Sequence, residues 1–507
     1  MIFKKSKSFY IRNRQDGGLF EINRDFSLRK YELQNIQQQV NWSPVYSDAY
    51  ELKRGNYVRY HLSLGQFILL FFFSHGFQLK AANGMIWYPF ATKKGYLSFS
   101  YRSNNGFSNT MRKKQSIAVI LANAVNLFLP FNRPNLIFEK LSNRAQESGF
   151  EYFQYVRKHY PQENNYFVIK SNSPDLNKIH DKKKIVIHGS FKHFYLLIRA
   201  KLFISSETPG HAYFWRENMG LTANVVRTKP YVFLQHGVLG FKKLDNLFYG
   251  DRLTAPVRLI TSSQFEQDIV TRQLGYDVQR APITGLARWD LINLEQERIK
   301  LRDKILLFYT WRPWLDDVDD EIFVQSDYFL AIKHSIQQIK MMHLDKQIIV
   351  MMHPKMHAAL DEKEIFGIKL WTDNDGPLNE LMSSVALLIT DYSSLAWEAY
   401  YREVPVIFDM FDQQRYENEV GSYIDLNHIP FGSKVTKNIS DNIQEVIAQS
   451  YHLKLADLQQ KHQYFAFEDQ NASQRIHEVV ENIDIGAINR DKRQLIIKAI
   501  VRLIFKK

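Results

Sequence analysis

The sequence predicts an α/β protein built on two Rossmann-like domains, and three observations carry that reading. From Asn135 onward, short apolar runs alternate with stretches of helical length, the pattern of parallel strands joined by crossover helices. The alternation starts again at Lys304, so the series occurs twice. Polar residues suited to anions and protons stand directly after the apolar runs, where ligands of doubly wound sheets bind. Two such domains facing a cleft form a widespread architecture for nucleotide-linked donors.

The elements follow in order. Between Asn56 and Tyr101, runs rich in β-branched and aromatic residues (YVRYHLSL, FILLFFF, GMIWYPF, GYLSFSYR) are broken by Gly, Asn and Lys. They predict a small antiparallel β module, with Phe67–Phe73 as a buried strand. Ser103–Gln115 reads as a polar linker. Ile117–Phe131, interrupted by Asn123 and Asn126 and preceded by Arg112, Lys113 and Lys114, reads as either a core helix or an interfacial one. The first Rossmann series comprises NLIFEKL, a helix around Gly149–Tyr160, NYFVIK, KKIVIHGS, the helix FKHFYLLIR, KLFISS, YVFLQHGV, RLITSS, a helix over Gln264–Leu274, and PITG. The second comprises ILLFYTWR, a helix over Tyr328–Met341, QIIVMMHP, GIKLWT, a short helix over Pro377–Val385, ALLITDYSS, a helix over Leu395–Arg402, and VPVIFD. These runs divide the chain into an N-terminal β-rich module of unassigned role (1–110), two Rossmann-like domains (111–290 and 291–485) and a C-terminal segment (486–507).

Composition narrows the partners. The chain has 507 residues, 45% hydrophobic and 23% charged, enough to bury large cores in two or three domains. Its 66 Lys+Arg against 53 Asp+Glu leave a formal charge of +13, which favours anionic partners. There is no cysteine, which excludes disulfides and thiolate zinc sites and suits a reducing compartment. The first residues lack an apolar core of signal-peptide length, so the chain is expected to stay in the cytoplasm. No run reaches the roughly 18 to 20 apolar residues of a membrane span.

The densest functional signal is Leu388–Ser394 (LITDYSS), an apolar strand running through Asp391, Ser393 and Ser394 into a helix. Free N–H groups and the positive helix end suit a phosphate there, although a serine at a helix start is also an ordinary cap. Four further polar sets end apolar strands: His236 with Gly237, Arg288 with Asp290, Arg312, and His353 with Pro354. Histidine can take a hydroxyl proton or stabilise leaving-group charge near neutral pH, and arginine can hold phosphate oxygens. Pro354 separates His353 from His357 with no carboxylate at a companion spacing, so no metal site is expected. The absence of a GxxxxGKS/T loop excludes a P-loop ATPase.

Taken together, HGVLGFKKL (236–244), GLARWD (285–290), YTWR (309–312), MHP (352–354), LITDYSSLAWEAYYREVPVIFD (388–409) and DQQRY (412–416) resemble the CDP-glycerol glycerophosphotransferase family of teichoic-acid synthesis. NLIFEKLSNRAQESGFEYFQYVRKHYP resembles the start of that family's catalytic region, and the likeness spans about Asn135–Tyr423. It implies a GT-B fold with an acceptor-side first domain and a CDP-donor-binding second domain. It also implies a peripheral enzyme on the cytoplasmic face of the membrane. Such an enzyme moves glycerol phosphate or ribitol phosphate from CDP-glycerol or CDP-ribitol to a polyprenyl-diphosphate-linked acceptor or growing chain, releasing CMP. No tightly bound cofactor is implied. The family's two motif histidines fall on His236 and His353, and its phosphate-binding serines on Ser393 and Ser394. Two departures, VLGFKK after Gly237 and Ala287 in GLARWD, bear on the polyol and the acceptor.

Within that frame His236 is expected as general base and His353 as donor-phosphate contact, with the reverse assignment open. Gly237, Arg288, Arg312, Asp391, Ser393 and Ser394 are expected around the donor. Glu398, four residues beyond Ser394, either meets a ribose hydroxyl or is a solvated helix carboxylate. In the final segment Lys498, Arg502, Lys506 and Lys507 accompany apolar residues in a basic amphipathic helix, which either lies in an anionic membrane interface or docks on the core. Two competing readings are a GT-B glycosyltransferase using a nucleotide sugar and a non-catalytic membrane-surface scaffold. Without an RNP-type or zinc-knuckle signature, nucleic acid is not an expected partner.

Overall fold

The computed structural model describes residues 9–12, 19–22, 46–53, 56–73, 79–80, 85–92, 95–103, 109–129, 131–214, 220–244, 248–315, 318, 320–352, 364–372, 375–492 and 494. Their contacts define two compact units. One holds residues 1–145, 164–203 and 208–229; the other holds 146–163, 204–207 and 230–507.

The N-terminal strands are β1 (Phe9–Arg12), β2 (Leu19–Ile22), β3 (Tyr46–Lys53), β4 (Asn56–Arg59), β5 (Leu79–Lys80), β6 (Met85–Ala91) and β7 (Leu97–Ser103). They form one sheet in the order β2-β1-β3-β7-β6-β5, with β4 paired to β3. The expected β module is present, with one correction. Phe67–Phe73 lies in a helix, Leu64–Phe73, rather than a strand. The overlooked signal is a capping box: the Ser63 hydroxyl accepts from the Gln66 amide (3.3 Å) and the Gln66 side chain accepts from the Ser63 amide (2.9 Å). Two satisfied N–H groups start a helix that apolar composition alone could not distinguish from a strand. The expected linker is also shorter than foreseen, because a helix begins at Asn109 and runs to Phe128.

The first Rossmann-like sheet contains β8 (Asn135–Phe138), β9 (Asn165–Ile169), β10 (Ile185–Ile187), β11 (Leu202–Ser205), β12 (Tyr231–Phe233) and β13 (Arg258–Leu259). Its order is β10-β9-β8-β11-β12-β13. The pairs β8–β9, β9–β10 and β12–β13 are parallel. PITG, expected as a further strand, contributes only a single bridge between Thr261 and Ile283.

The second sheet contains β14 (Lys304–Tyr309), β15 (Gln347–Met352), β16 (Glu364–Ile365), β17 (Ile368–Trp371), β18 (Val385–Thr390), β19 (Val406–Phe408) and β20 (Ser433–Lys434). The order is β16-β17-β15-β14-β18-β19-β20, parallel except for β16 against β17. Every residue of β18 is buried, as a central strand covered on both faces requires. One face packs on the helix Asp327–Met341 through Tyr328, Ile332, Ile336 and Ile339. The sheet registers Tyr309 with Met352 and Phe308 with Thr390, so three adjacent strands end at one edge. Thr310 and Asp391 therefore emerge side by side.

Candidate functional site

At the edge where β14 and β18 end, Asp391 is fully buried and saturated with donors. It accepts from the Thr310 amide (2.9 and 3.0 Å), the Thr310 hydroxyl (3.1 Å), the Tyr392 amide (2.7 Å) and Arg312 Nη1 (2.7 Å). Arg312 is also fully buried. Its Nε and Nη2 grip the two oxygens of Asp412 at 2.7 and 3.0 Å. Burial alone would lower the arginine's pKa, but Asp391 and Asp412 hold it above the ordinary value. The sequence reading placed Arg312 and Asp391 against the donor. Here they bind each other instead, because a guanidinium with two carboxylates and no exposure has no surface to offer a ligand.

The DYSS turn stands on this frame. Ser393 is buried, and its hydroxyl accepts from the Leu395 amide at 3.0 Å, starting the seven-residue helix Leu395–Tyr401. Ser394 is exposed, and its side chain makes no cap bond to the helix. Of the two serines, Ser394 is the exposed one.

The HG turn meets it. His236 follows β12 and is exposed, with Nδ1 3.3 Å from the carbonyl of Ser206. A carbonyl only accepts, so Nδ1 carries the proton and the neutral ring keeps its lone pair on Nε2. A side chain at Gly237 would put its Cβ 2.8 Å from Ser394 Oγ and 2.9 Å from Ser394 Cβ, so glycine is what allows the two turns to touch. The contact continues at Gly240, where a Cβ would lie 2.9 Å from Trp397. Tyr423 donates its amide to the Gly240 carbonyl (2.8 Å), and Lys243 donates its amide to the Gly421 carbonyl (3.0 Å). His236, Gly237 and Ser394, drawn from separate motifs, thus share one place.

Glu398 lies one helical turn beyond Ser394, and Arg288, from the turn Ala287–Leu291, is its partner. Arg288 Nη2 bonds Glu398 and its Nη1 bonds Glu147 at 3.1 Å. Glu398 is 5% exposed and also faces Arg402 at 3.4 Å. Neither expectation for Glu398 matches this geometry, since a carboxylate between two arginines is neither solvated nor open to a ribose. Asp290 is a helix cap, accepting from the Ala472 and Ser473 amides at 2.8 Å each. His353 lies outside the described residues; β15 ends at Met352, immediately before it. Lys498, Arg502, Lys506 and Lys507 also lie outside them.

Sequence reasoning missed Gln235 and Glu266, which hold the HG turn from behind. Glu266 is fully buried and accepts from the Leu239 amide (2.6 Å), the Ser262 amide (2.7 Å) and Gln235 Nε2 (3.0 Å). A glutamate inside an ordinary helical stretch carries no sequence signal for this. Among the described residues, Glu163, His477 and Glu481 bring ligand-type atoms within 4.8 Å of one another. His477 there already faces Glu163 and the Tyr152 hydroxyl at 3.3 Å each.

The family profile described as CDP-Glycerol:Poly(glycerophosphate) glycerophosphotransferase matches residues 121–482. The chain belongs to this family. Its relatives include the minor teichoic acid biosynthesis protein GgaB of Bacillus subtilis, 24% identical over 407 residues, covering 75% of this chain and 43% of that protein. The teichoic acid poly(glycerol phosphate) polymerase of Staphylococcus epidermidis is 23% identical over 353 residues, covering 61% of this chain and 46% of that protein. The chain therefore spans less than half the length of either relative. Among solved structures, that of the wall teichoic acid polymerase TagF is similar with a TM-score of 0.51 and 17% identity, covering 76% of this chain and 94% of that chain. The fold is GT-B. The HG and DYSS turns that meet at Gly237 and Ser394 both lie within the matched residues.

Proposed function

We propose that the chain transfers glycerol phosphate from CDP-glycerol to a lipid-linked acceptor or growing teichoic-acid-type chain, releasing CMP. The observation that carries this reading is the meeting of the HG and DYSS turns within the family match. Glycerol is favoured over ribitol because the family description and the polymerase relative both name glycerol phosphate.

In this reading the acceptor hydroxyl approaches His236, whose Nε2 takes its proton as the oxygen attacks phosphorus. Ser394 donates a hydrogen bond to a phosphate oxygen, and His353 contacts the donor phosphate from the second domain. CDP-glycerol is a substrate, and no tightly bound cofactor is assigned.

An anionic membrane surface on the cytoplasmic side is proposed as a partner, reached through the basic tail and a second feature. The helix Asn109–Phe128 buries Ala118, Val119 and Ala122, while Ile117, Ile120, Leu121, Leu127 and Phe128 are 45–82% exposed. Its Asn126 bonds Arg199 at 2.9 Å, and Lys113 and Lys114 are exposed near its start. An apolar outer stripe beside cations suits an interface. Between Glu51 and Glu139 there are eleven Lys and Arg and no Asp or Glu, which leaves the rest of the chain at 55 Lys+Arg against 53 Asp+Glu. Among the described residues no helix is long and apolar enough to cross a membrane.

The test is to supply CDP-glycerol, CDP-ribitol and UDP-sugars with a lipid-diphosphate disaccharide and weigh the products. Addition of glycerol-phosphate units is expected. Transfer of sugar alone would establish the glycosyltransferase reading instead.

A further inference from the structure

We propose that Glu266 is a positioning residue for His236, setting the histidine's place and tautomer by fixing the turn on both sides of it. The inference rests on the proposed reaction only in naming the turnover to be measured.

His236 is held by its neighbours more than by its own ring. One residue before it, Gln235 has φ +58°, a left-handed backbone that a non-glycine side chain adopts at a cost and keeps only where its surroundings impose it. Gln235 is itself 1% exposed, and its Nε2 donates to Ile260 carbonyl oxygen (2.5 Å) and to Glu266 Oε1 (3.0 Å). Three residues after His236, the Leu239 amide donates to the same Oε1 at 2.6 Å. The other oxygen takes the Ser262 amide at 2.7 Å, just past the end of β13. One carboxylate therefore ties both flanks of the histidine to the neighbouring strand end.

The carboxylate has little room to move. The helix Gln264–Leu274 carries it in its first turn, where the Ser263 hydroxyl accepts from the Glu266 amide at 3.3 Å and Ile269, Val270 and Leu274 are buried. The donors that hold it are neutral N–H groups and the Ser262 side chain, and no charged group is among the influences on its titration. Burial pushes its pKa up to about 7, and the surrounding N–H donors pull against that rise. A fully buried acid without an ion pair is expensive to keep, whereas a turn needing an acceptor on both oxygens explains its retention. Glutamine supplies one acceptor and one donor, so in its place one of the three N–H groups would face another N–H.

The experiment is a double-mutant cycle combined with a spectroscopic readout. E266Q is expected to lower kcat on CDP-glycerol about thirtyfold with KM changed less than about twofold, and to cost less than about twofold once His236 is already alanine. Equal losses in both backgrounds, or a rise in KM at constant kcat, would overturn the proposal. In 15N-histidine spectra, with the His236 signals located by their loss in H236A, the wild type should show the Nδ1-protonated form. E266Q should move it toward mixed tautomers; an unmoved signal contradicts the proposal even if the protein turns over no CDP-glycerol. Should E266Q melt abnormally, Q235G removes the Gln235 side of the link while suiting φ +58°. It is expected to show the same non-additivity with H236A and the same tautomer shift, and the absence of both would again overturn the assignment.

Discussion

Arg312 shows how a residue's environment decides its role. Its partners Asp391 and Asp412 stand 79 and 100 residues away in sequence, and all three carry little or no exposure. Replacing Arg312 by Met should therefore act as a stability change, costing about 3–5 kcal/mol because two buried carboxylates lose their cation. A normal urea midpoint with only weakened donor binding would return Arg312 to the ligand-contact role read from sequence. Nothing local could have separated those roles, since an arginine after a strand reads the same in both. The strand before His236 was legible from its apolar run, while the place of Glu266 was not, because its donors converge only in the fold. A second pair gives a pH prediction. Burial, then the nearby Asp290, raises Glu151 to about 7, and burial raises Asp290 as well. A carboxyl raised from its unfolded value of about 4.5 favours the fold below that pH, and its contribution is lost as pH rises through about 7. Glu151→Gln should accordingly raise Tm at pH 8 and change it little at pH 5; the same gain at both values would rule out titration as the cause.

At the scale of elements, the handover from strand to turn does the positioning. The parallel registers of β14, β15 and β18 bring their ends to one edge, and the absence of a side chain at Gly237 lets the HG turn rest on Ser394. Gly237→Ala would place a methyl group against Ser394, so it should depress turnover by at least about tenfold with a stability loss of about 1–3 kcal/mol. Wild-type turnover in that variant would mean the two turns need not meet. Most of these elements were legible. The helix expected over Gln264–Leu274 has those bounds, and the strands before His236 and Asp391 lie within the expected apolar runs, ending at Phe233 and Thr390. Phe67–Phe73 was misread because seven apolar residues fit either period, and the deciding information lay in the polar Ser63 and Gln66.

For the whole molecule, positive charge and exposed apolar side chains concentrate in particular segments of the chain. The outward stripe of the helix Asn109–Phe128 and the basic tail are separate routes to a lipid surface, and vesicles distinguish them. Polar substitutions at Ile117, Ile120, Leu121 and Phe128 should leave the melting curve unchanged and reduce binding to anionic vesicles. Truncation after Gly486 reads the tail alone, and salt should weaken the intact protein's binding through screening over about 8 Å at physiological ionic strength. Binding as tight in both variants as in wild type would remove the membrane partner from the account. The central claim is a polyol-phosphate transfer that depends on the histidine at the junction of the two turns. Its most direct test is a single-turnover reaction with CDP-glycerol and a lipid-diphosphate disaccharide, following CMP and acceptor mass together in wild type and H236A. Wild type should release one CMP per glycerol phosphate added, and H236A should be slower by about a hundredfold or more while melting normally. Undiminished transfer by H236A, or CMP release without acceptor lengthening in wild type, would contradict it.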